Sequence, residues 1–83
     1  MNQTETLNKV VQVINPYVKN TAALATITME TRILEDLGVN SARLVDIILA
    51  FEDEFGIAVD DESADKVRTM GDAVTMIMSK STH

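Results

Sequence analysis

The stretch Leu34–Gly56, LEDLGVNSARLVDIILAFEDEFG, decides the fold. Gly38 closes its first part as a natural left-handed stop. Asn40 and Ser41 follow, both good N-caps, and a helix is expected from one of them to about Phe55, ended by Gly56. Placed at about 100° per residue, its side chains fall into three arcs. Leu44, Ile47, Ile48, Phe51 and Phe55 make a core-facing stripe. Arg43, Ala50 and Glu54 lie roughly opposite, towards water. Between them come Ala42, Val45 and Leu49, bordered by Asp46, Glu52 and Asp53. The apolar arc is wider than one core stripe needs. Its extra flank, apolar with an acidic rim, begins at the serine end of the helix. Ser41 is therefore either a helix cap or a handle to which something is attached.

Working towards the N-terminus, residues 19–32, KNTAALATITMETR, are rich in Thr and Ala with weak periodicity. They predict a long connection with a helical turn, pinned to the core by Ile27, Ile33 and Leu34. A loop this long in a small domain is often functional. Before it, Leu7, Val10, Val11, Ile14 and Val18 follow the i, i+3, i+4, i+7 rule of one helical face. Thr4 or Thr6 is the expected cap, and Pro16 ends or kinks the helix near Asn15 by disfavouring helical angles there. Towards the C-terminus, Asp60–Lys66 predicts one or two helical turns. Thr69 then opens a last helix with Asp72 three residues on, an approximate capping box. Met70, Ala73, Val74, Ile77 and Met78 give its buried face, and the tail SKSTH reads as polar and frayed. The expectation is one all-α domain spanning 1–83: a four-helix bundle of three main helices and a short third one, with a long loop between the first two.

Composition narrows the function. The chain has 83 residues, 46% of them hydrophobic, and no Cys, which removes disulfides, thiolate metal sites and cysteine nucleophiles. Its formal net charge of −6 offers no basic face to nucleic acid and would be repelled by anionic membranes, while a basic protein partner would be attracted. No apolar run is long enough to span a bilayer, and the first ten residues, MNQTETLNKV, lack the features of a signal peptide, so a cytoplasmic protein is expected.

Catalytic readings fail on spacing. A serine nucleophile of the hydrolase kind needs G-x-S-x-G on a strand-to-helix turn, but the local string is G-V-N-S-A. The sole His, His83, is a poor candidate base. The acidic run EDEFGIAVDDE fails as a calcium loop: with Gly56 at position six, Phe51 and Phe55 take ligand positions one and five. A solvated acidic face is the reading, with no metal expected. Met70 and Met78 sit at core spacing and read as packing residues.

ILEDLGVNSARLVDIILAFEDEFGIAVDDE resembles the central segment of the acyl carrier proteins, through Leu34, Asp36, Leu37, Gly38, Ser41, Val45, Ile47, Glu54, Phe55 and Ile57. ITMETRILEDLG resembles that family's loop approach, and ADKVRTMGDAV its short third helix and the start of its fourth. The resemblance implies a non-enzymatic four-helix carrier, monomeric, whose Ser41 receives 4′-phosphopantetheine from coenzyme A through a separate phosphopantetheinyl transferase. The arm's thiol would then carry an acyl group as a thioester for fatty-acid, lipid or polyketide type enzymes. It further implies a docking face for basic partner enzymes at Ala42, Val45, Asp46, Leu49, Glu52 and Asp53. An acyl-chain cleft would be lined by Phe51, Phe55, Ile57, Val59 and Val67. Three residues depart from the family pattern: Asn40 stands for the usual Asp flanking the serine, Ala42 for Leu, and Arg43 for an acidic or neutral residue. They imply a specialised carrier with its own partners. A peptidyl or aminoacyl carrier of the same fold, or a carrier-like interaction module that takes no arm, is the competing reading.

Overall fold

The computed structural model describes residues 2–81, so His83 lies outside the described residues. Helix α1 spans Gln3–Ile14 and is capped by Asn2, whose Oδ1 accepts the Glu5 N–H at 2.8 Å. The cap is thus neither Thr4 nor Thr6. Thr6 lies one turn inside, fully buried, with its hydroxyl donating to the Asn2 carbonyl at 2.9 Å. Pro16 does not push Asn15 out of the helical region either: Asn15 has φ −46° and ψ −48° and still donates to the Val11 carbonyl. The missing N–H of Pro16 instead tightens the chain into a 3-10 turn, Asn15–Tyr17, before Val18 turns extended.

The long connection holds one 3-10 helix, Thr21–Thr26, and is otherwise fixed by its own hydrogen bonds. Asn20 donates twice into the LEDLG turn, from its N–H to Leu37 O and from Nδ2 to Asp36 O, each at 3.1 Å. Asp36 closes that turn by accepting the Arg32 N–H on Oδ2 at 2.8 Å. These bonds place Ile33 and Leu37 in the core with no exposed surface, and Gly38 ends the turn at φ 68°.

Helix α2 spans Ser41–Phe55, with Asn40 as its cap and Gly56 as its left-handed stop at φ 63°. Helix α3 is short, Asp61–Asp65. Helix α4 runs Met70–Ser81, so the first residues of the expected frayed tail continue the helix, and Lys80 reaches Asp60 Oδ1 at 3.5 Å. The capping box is present: Thr69 Oγ1 accepts the Asp72 N–H, and Asp72 Oδ2 accepts the Thr69 N–H, both at 3.1 Å.

A feature absent from the periodicity joins the loop to α4. Ile33 N–H donates to Arg68 O at 3.0 Å, Met70 N–H to Thr31 O at 2.9 Å, and Gly71 N–H to Met29 O at 2.7 Å, around an isolated Arg32–Thr69 bridge. Among the described residues no strand extends it. Gly71 permits the approach, because a Cβ there would lie 2.8 Å from the Met29 carbonyl oxygen.

α1 packs mainly on α4 and also on α2. Val10, Ile14, Ile47, Phe51, Met70, Ala73, Val74 and Ile77 are completely buried at their junction, while Met78 stays half-buried. Each large side chain among them contributes about 1.5–3 kcal/mol by leaving water. Phe55 meets Phe51 edge to face, with ring centroids 6.2 Å apart. Lys9 Nζ pairs with Glu54 Oε1 at 2.9 Å across α1 and α2, a half-exposed contact contributing about 0–1 kcal/mol.

Candidate functional site

The first turn of α2 divides labour between two adjacent residues. Asn40 is extended, φ −67° and ψ 140°, and its Oδ1 accepts the Ala42 N–H at 2.9 Å. Its carbonyl accepts the N–H groups of Arg43 and Leu44 at 2.8 and 3.2 Å. Ser41 is left as the first helical residue, exposed, and among the described residues its hydroxyl makes no hydrogen bond. The capping role open to either residue in the sequence belongs to Asn40.

Ser41 opens onto a groove of about 350 Å³ between α2 and the segment carrying α3. Leu44, Val45, Ile48, Leu49 and Glu52 form the α2 wall; Val59, Asp61, Ala64 and Asp65 form the other. Val45 and Leu49 are 61% and 56% exposed, the largest apolar surfaces α2 gives to water. The Val59 wall is held by Glu52, whose half-buried carboxylate accepts the Val59 N–H at 2.9 Å.

The charges around the groove are nearly all negative. Glu52, Asp61 and Asp65 line it, and Asp46 and Asp53 stand exposed on α2. Arg43 turns to Asp46 at 3.5 Å, a weak exposed pair that partly offsets one of these charges. Asp60, at the entry to α3, has its carboxyl held below its ordinary 3.8, chiefly by the Ser63 hydroxyl and its own backbone, with a smaller pull from Lys80. Among the described residues no three acidic or His side chains converge to hold a metal ion. The first turn of α2 carries no acidic residue, so the positive end of the helix dipole faces Ser41 uncompensated.

The expected docking residues Ala42, Val45, Asp46, Leu49 and Asp53 are all exposed on α2. Glu52 differs, being half-buried and bonded internally. The expected cleft set is not brought together at Ser41: only Val59 lines its groove. Phe51 is completely buried beneath, Phe55 and Ile57 pack half-buried against the core, and Val67 lines a separate groove between α3 and α4. Leu44, Ile48, Asp61, Ala64 and Asp65 also line the groove beside Ser41. The signal for the α2 wall was present in the spacing: Leu44, Val45, Ile48, Leu49 and Glu52 stand three, four, seven, eight and eleven residues after Ser41, on its own helical face.

Comparison with known proteins gives a consistent answer. The profile of the phosphopantetheine attachment site family matches residues 20–77. The acyl carrier protein of Thermotoga maritima is 44% identical over 54 residues, covering 65% of this chain and 67% of the relative. The fold superimposes on that of the acyl carrier protein from Enterococcus faecalis, a thermally stable protein, with a TM-score of 0.78, 34% identity and coverage of 96% and 99% of the two chains. The crystal structure of the Thermotoga maritima acyl carrier protein matches with a TM-score of 0.78 at 29% identity, over 96% of this chain and 91% of that one. With an all-helical fold and an attachment-site profile that spans α2, this chain belongs to the acyl carrier proteins, carriers rather than enzymes, whose cofactor is 4′-phosphopantetheine.

Proposed function

We propose that Ser41 bears the phosphopantetheine arm and that residues 1–83 act as one monomeric, specialised acyl-carrier domain. The observation that carries this reading is the idle hydroxyl of Ser41: exposed, outside any hydrogen bond among the described residues, and relieved of capping by Asn40. A serine at that place without structural duty is available for modification. The residues present also fit the group. The start of α2 offers a phosphodiester on Ser41 a helix dipole free of competing acid in the first turn. The groove beside it is lined largely by apolar side chains, which suits an acyl chain.

Attachment forms a bond from Ser41 Oγ to the phosphorus next to the pantetheine of coenzyme A and breaks the pyrophosphate link. Adenosine 3′,5′-bisphosphate leaves, and the serine proton passes to a base on the transferase. Once bound, the arm supplies a thiol that holds the acyl group as a thioester. The chain's own residues then present it. Ala42, Val45 and Leu49 give an apolar strip, and Asp46 and Asp53 an acidic rim, matched to partners with a basic docking patch. Fatty-acid, lipid or polyketide type enzymes are the proposed recipients. Ala42 offers a smaller contact beside the serine than a leucine would, and Arg43 places a positive charge there, which favours dedicated partners.

The test is intact mass after incubation with coenzyme A, magnesium and a broad-specificity phosphopantetheinyl transferase. One phosphopantetheine is expected on the native chain and none on Ser41→Ala. A folded native chain that several transferases leave unmodified would overturn the assignment.

A further inference from the structure

The half-buried carboxylate of Glu52 sits on the acidic rim of α2 and yet bonds inward. Its Oε2 accepts the Val59 N–H, seven residues on, at 2.9 Å, and both residues line the groove beside Ser41. The chain between them leaves α2 at Gly56, where the last helical bonds, from Gly56 and Ile57, end on the Glu52 carbonyl. From Ile57 to Asp60 the backbone has no helix or strand of its own. Among the described residues, the Glu52 side chain is the one hydrogen bond that draws the Val59 backbone towards α2. The width of the groove at its α3 side therefore depends on that bond.

We infer that Glu52 is a positioning residue of the carrier: it latches the Val59 wall of the groove, and so sets how closely the groove closes on what Ser41 presents. The inference rests on the groove being the place where the cargo lies, as proposed above. It separates two roles that a carboxylate on the docking rim would otherwise merge. Contact with a basic partner needs the negative charge. Holding Val59 needs only an acceptor oxygen, which a glutamine at the same reach also supplies. A bidentate guanidinium from a partner would compete with the Val59 N–H for the same two carboxylate oxygens, so docking and opening of the groove would be coupled through this one side chain.

The test compares Glu52→Gln and Glu52→Ala with the native chain by amide hydrogen exchange, on the unmodified protein, so that its result is independent of whether Ser41 takes the arm. In Glu52→Ala the Val59 amide is expected to exchange about tenfold faster, while amides of the α4 core such as Val74 keep their protection. Glu52→Gln is expected to restore Val59 protection to within about twofold. A second arm uses the protein loaded with an octanoyl group through the arm. Chemical shifts of Ile48 and Val59 methyls should move on loading in the native chain and in Glu52→Gln, and less in Glu52→Ala. Unchanged Val59 exchange in Glu52→Ala overturns the latch, as does loss of protection spread evenly over α4, which marks general destabilisation. Val59 protection lost equally in Gln and Ala also overturns it, because charge and not the acceptor would then be what matters.

Discussion

Asn40 Oδ1 accepts the Ala42 N–H at 2.9 Å, reaching past Ser41 to cap the helix that Ser41 begins. The consequence for stability is unequal between the two neighbours. Asn40→Ala removes a cap and should cost about 1 kcal/mol, lowering Tm by about 4–8 °C for a domain of this size. Ser41→Ala removes no hydrogen bond and should stay within about 0.5 kcal/mol of the native chain. Thermal unfolding of both variants checks the pair. A Ser41→Ala loss equal to that of Asn40→Ala would make the serine a structural residue.

Gly71 is the second position where geometry decides the residue. In most helices Gly→Ala stabilises by about 1 kcal/mol. Here the added Cβ would lie 2.8 Å from the Met29 carbonyl oxygen, a backbone atom held by the Gly71 N–H itself at 2.7 Å. Relief requires the loop to move away from α4, and the cost should follow overpacking, about 1–3 kcal/mol net destabilising. Urea unfolding of Gly71→Ala measures it. Met29 is half-buried and Ile33 fully buried nearby, so the variant should also expose the loop to proteolysis before the helices.

Much of this was readable from local chemistry. α2 begins and ends where Asn40 and Gly56 say it should, and Thr69 with Asp72 forms the expected box, because each is a contact among residues within four positions. What escaped was set by partners distant in sequence. The Thr31–Met70 and Met29–Gly71 bonds join residues about forty apart through backbone groups, which leave no side-chain pattern. Thr6 looked like a cap because threonine caps well, but Asn2 takes that role and Thr6 is drawn into the core. The lining of the groove beside Ser41 was set in a related way. Phe51 and Phe55 are large and apolar, yet which of α2's apolar arcs meets α3 depends on where the Gly56–Asp60 segment turns. Leu44 and Ile48 of the core stripe and Val45 and Leu49 of the flank reach the groove together, because they share the helical face of Ser41.

Acid should weaken the entry to α3. The Asp60 carboxyl is held below its ordinary 3.8 by Ser63, by its own backbone and by Lys80, so the folded state favours its charged form. That contribution is complete above the unfolded value and is lost as pH falls through the lower folded one. Asp60 is exposed, so the effect is small. The Tm difference between the native chain and Asp60→Asn should hold steady from about pH 7 to about pH 5 and shrink below about pH 4. A difference that grows on acidification would contradict the lowered carboxyl.

On α2 the proposed docking strip and the buried stripe make separate predictions. Leu49 is 56% exposed and Ile47, two residues earlier, is completely buried. Ile47→Ala should cost about 2–5 kcal/mol of stability, whereas Leu49→Ala should change it by no more than about 0.5 kcal/mol. If Leu49 and its neighbour Val45 meet partners, Leu49→Ala should nevertheless raise the KM of a phosphopantetheinyl transferase for this protein several-fold with kcat nearly unchanged. Asp46→Asn and Asp53→Asn should lower kcat/KM most at low salt, because rim charges act on association through a field that is screened within about 8–10 Å at physiological ionic strength. The native chain should lose that advantage as salt rises, and the double variant should show a flatter salt dependence. Arg43 already draws on Asp46 at 3.5 Å, so Arg43→Ala should free the Asp46 charge and raise kcat/KM at low salt. Steady-state modification rates of these variants across a salt series decide the matter. Rates that ignore Leu49 and both aspartates would move the docking face off α2.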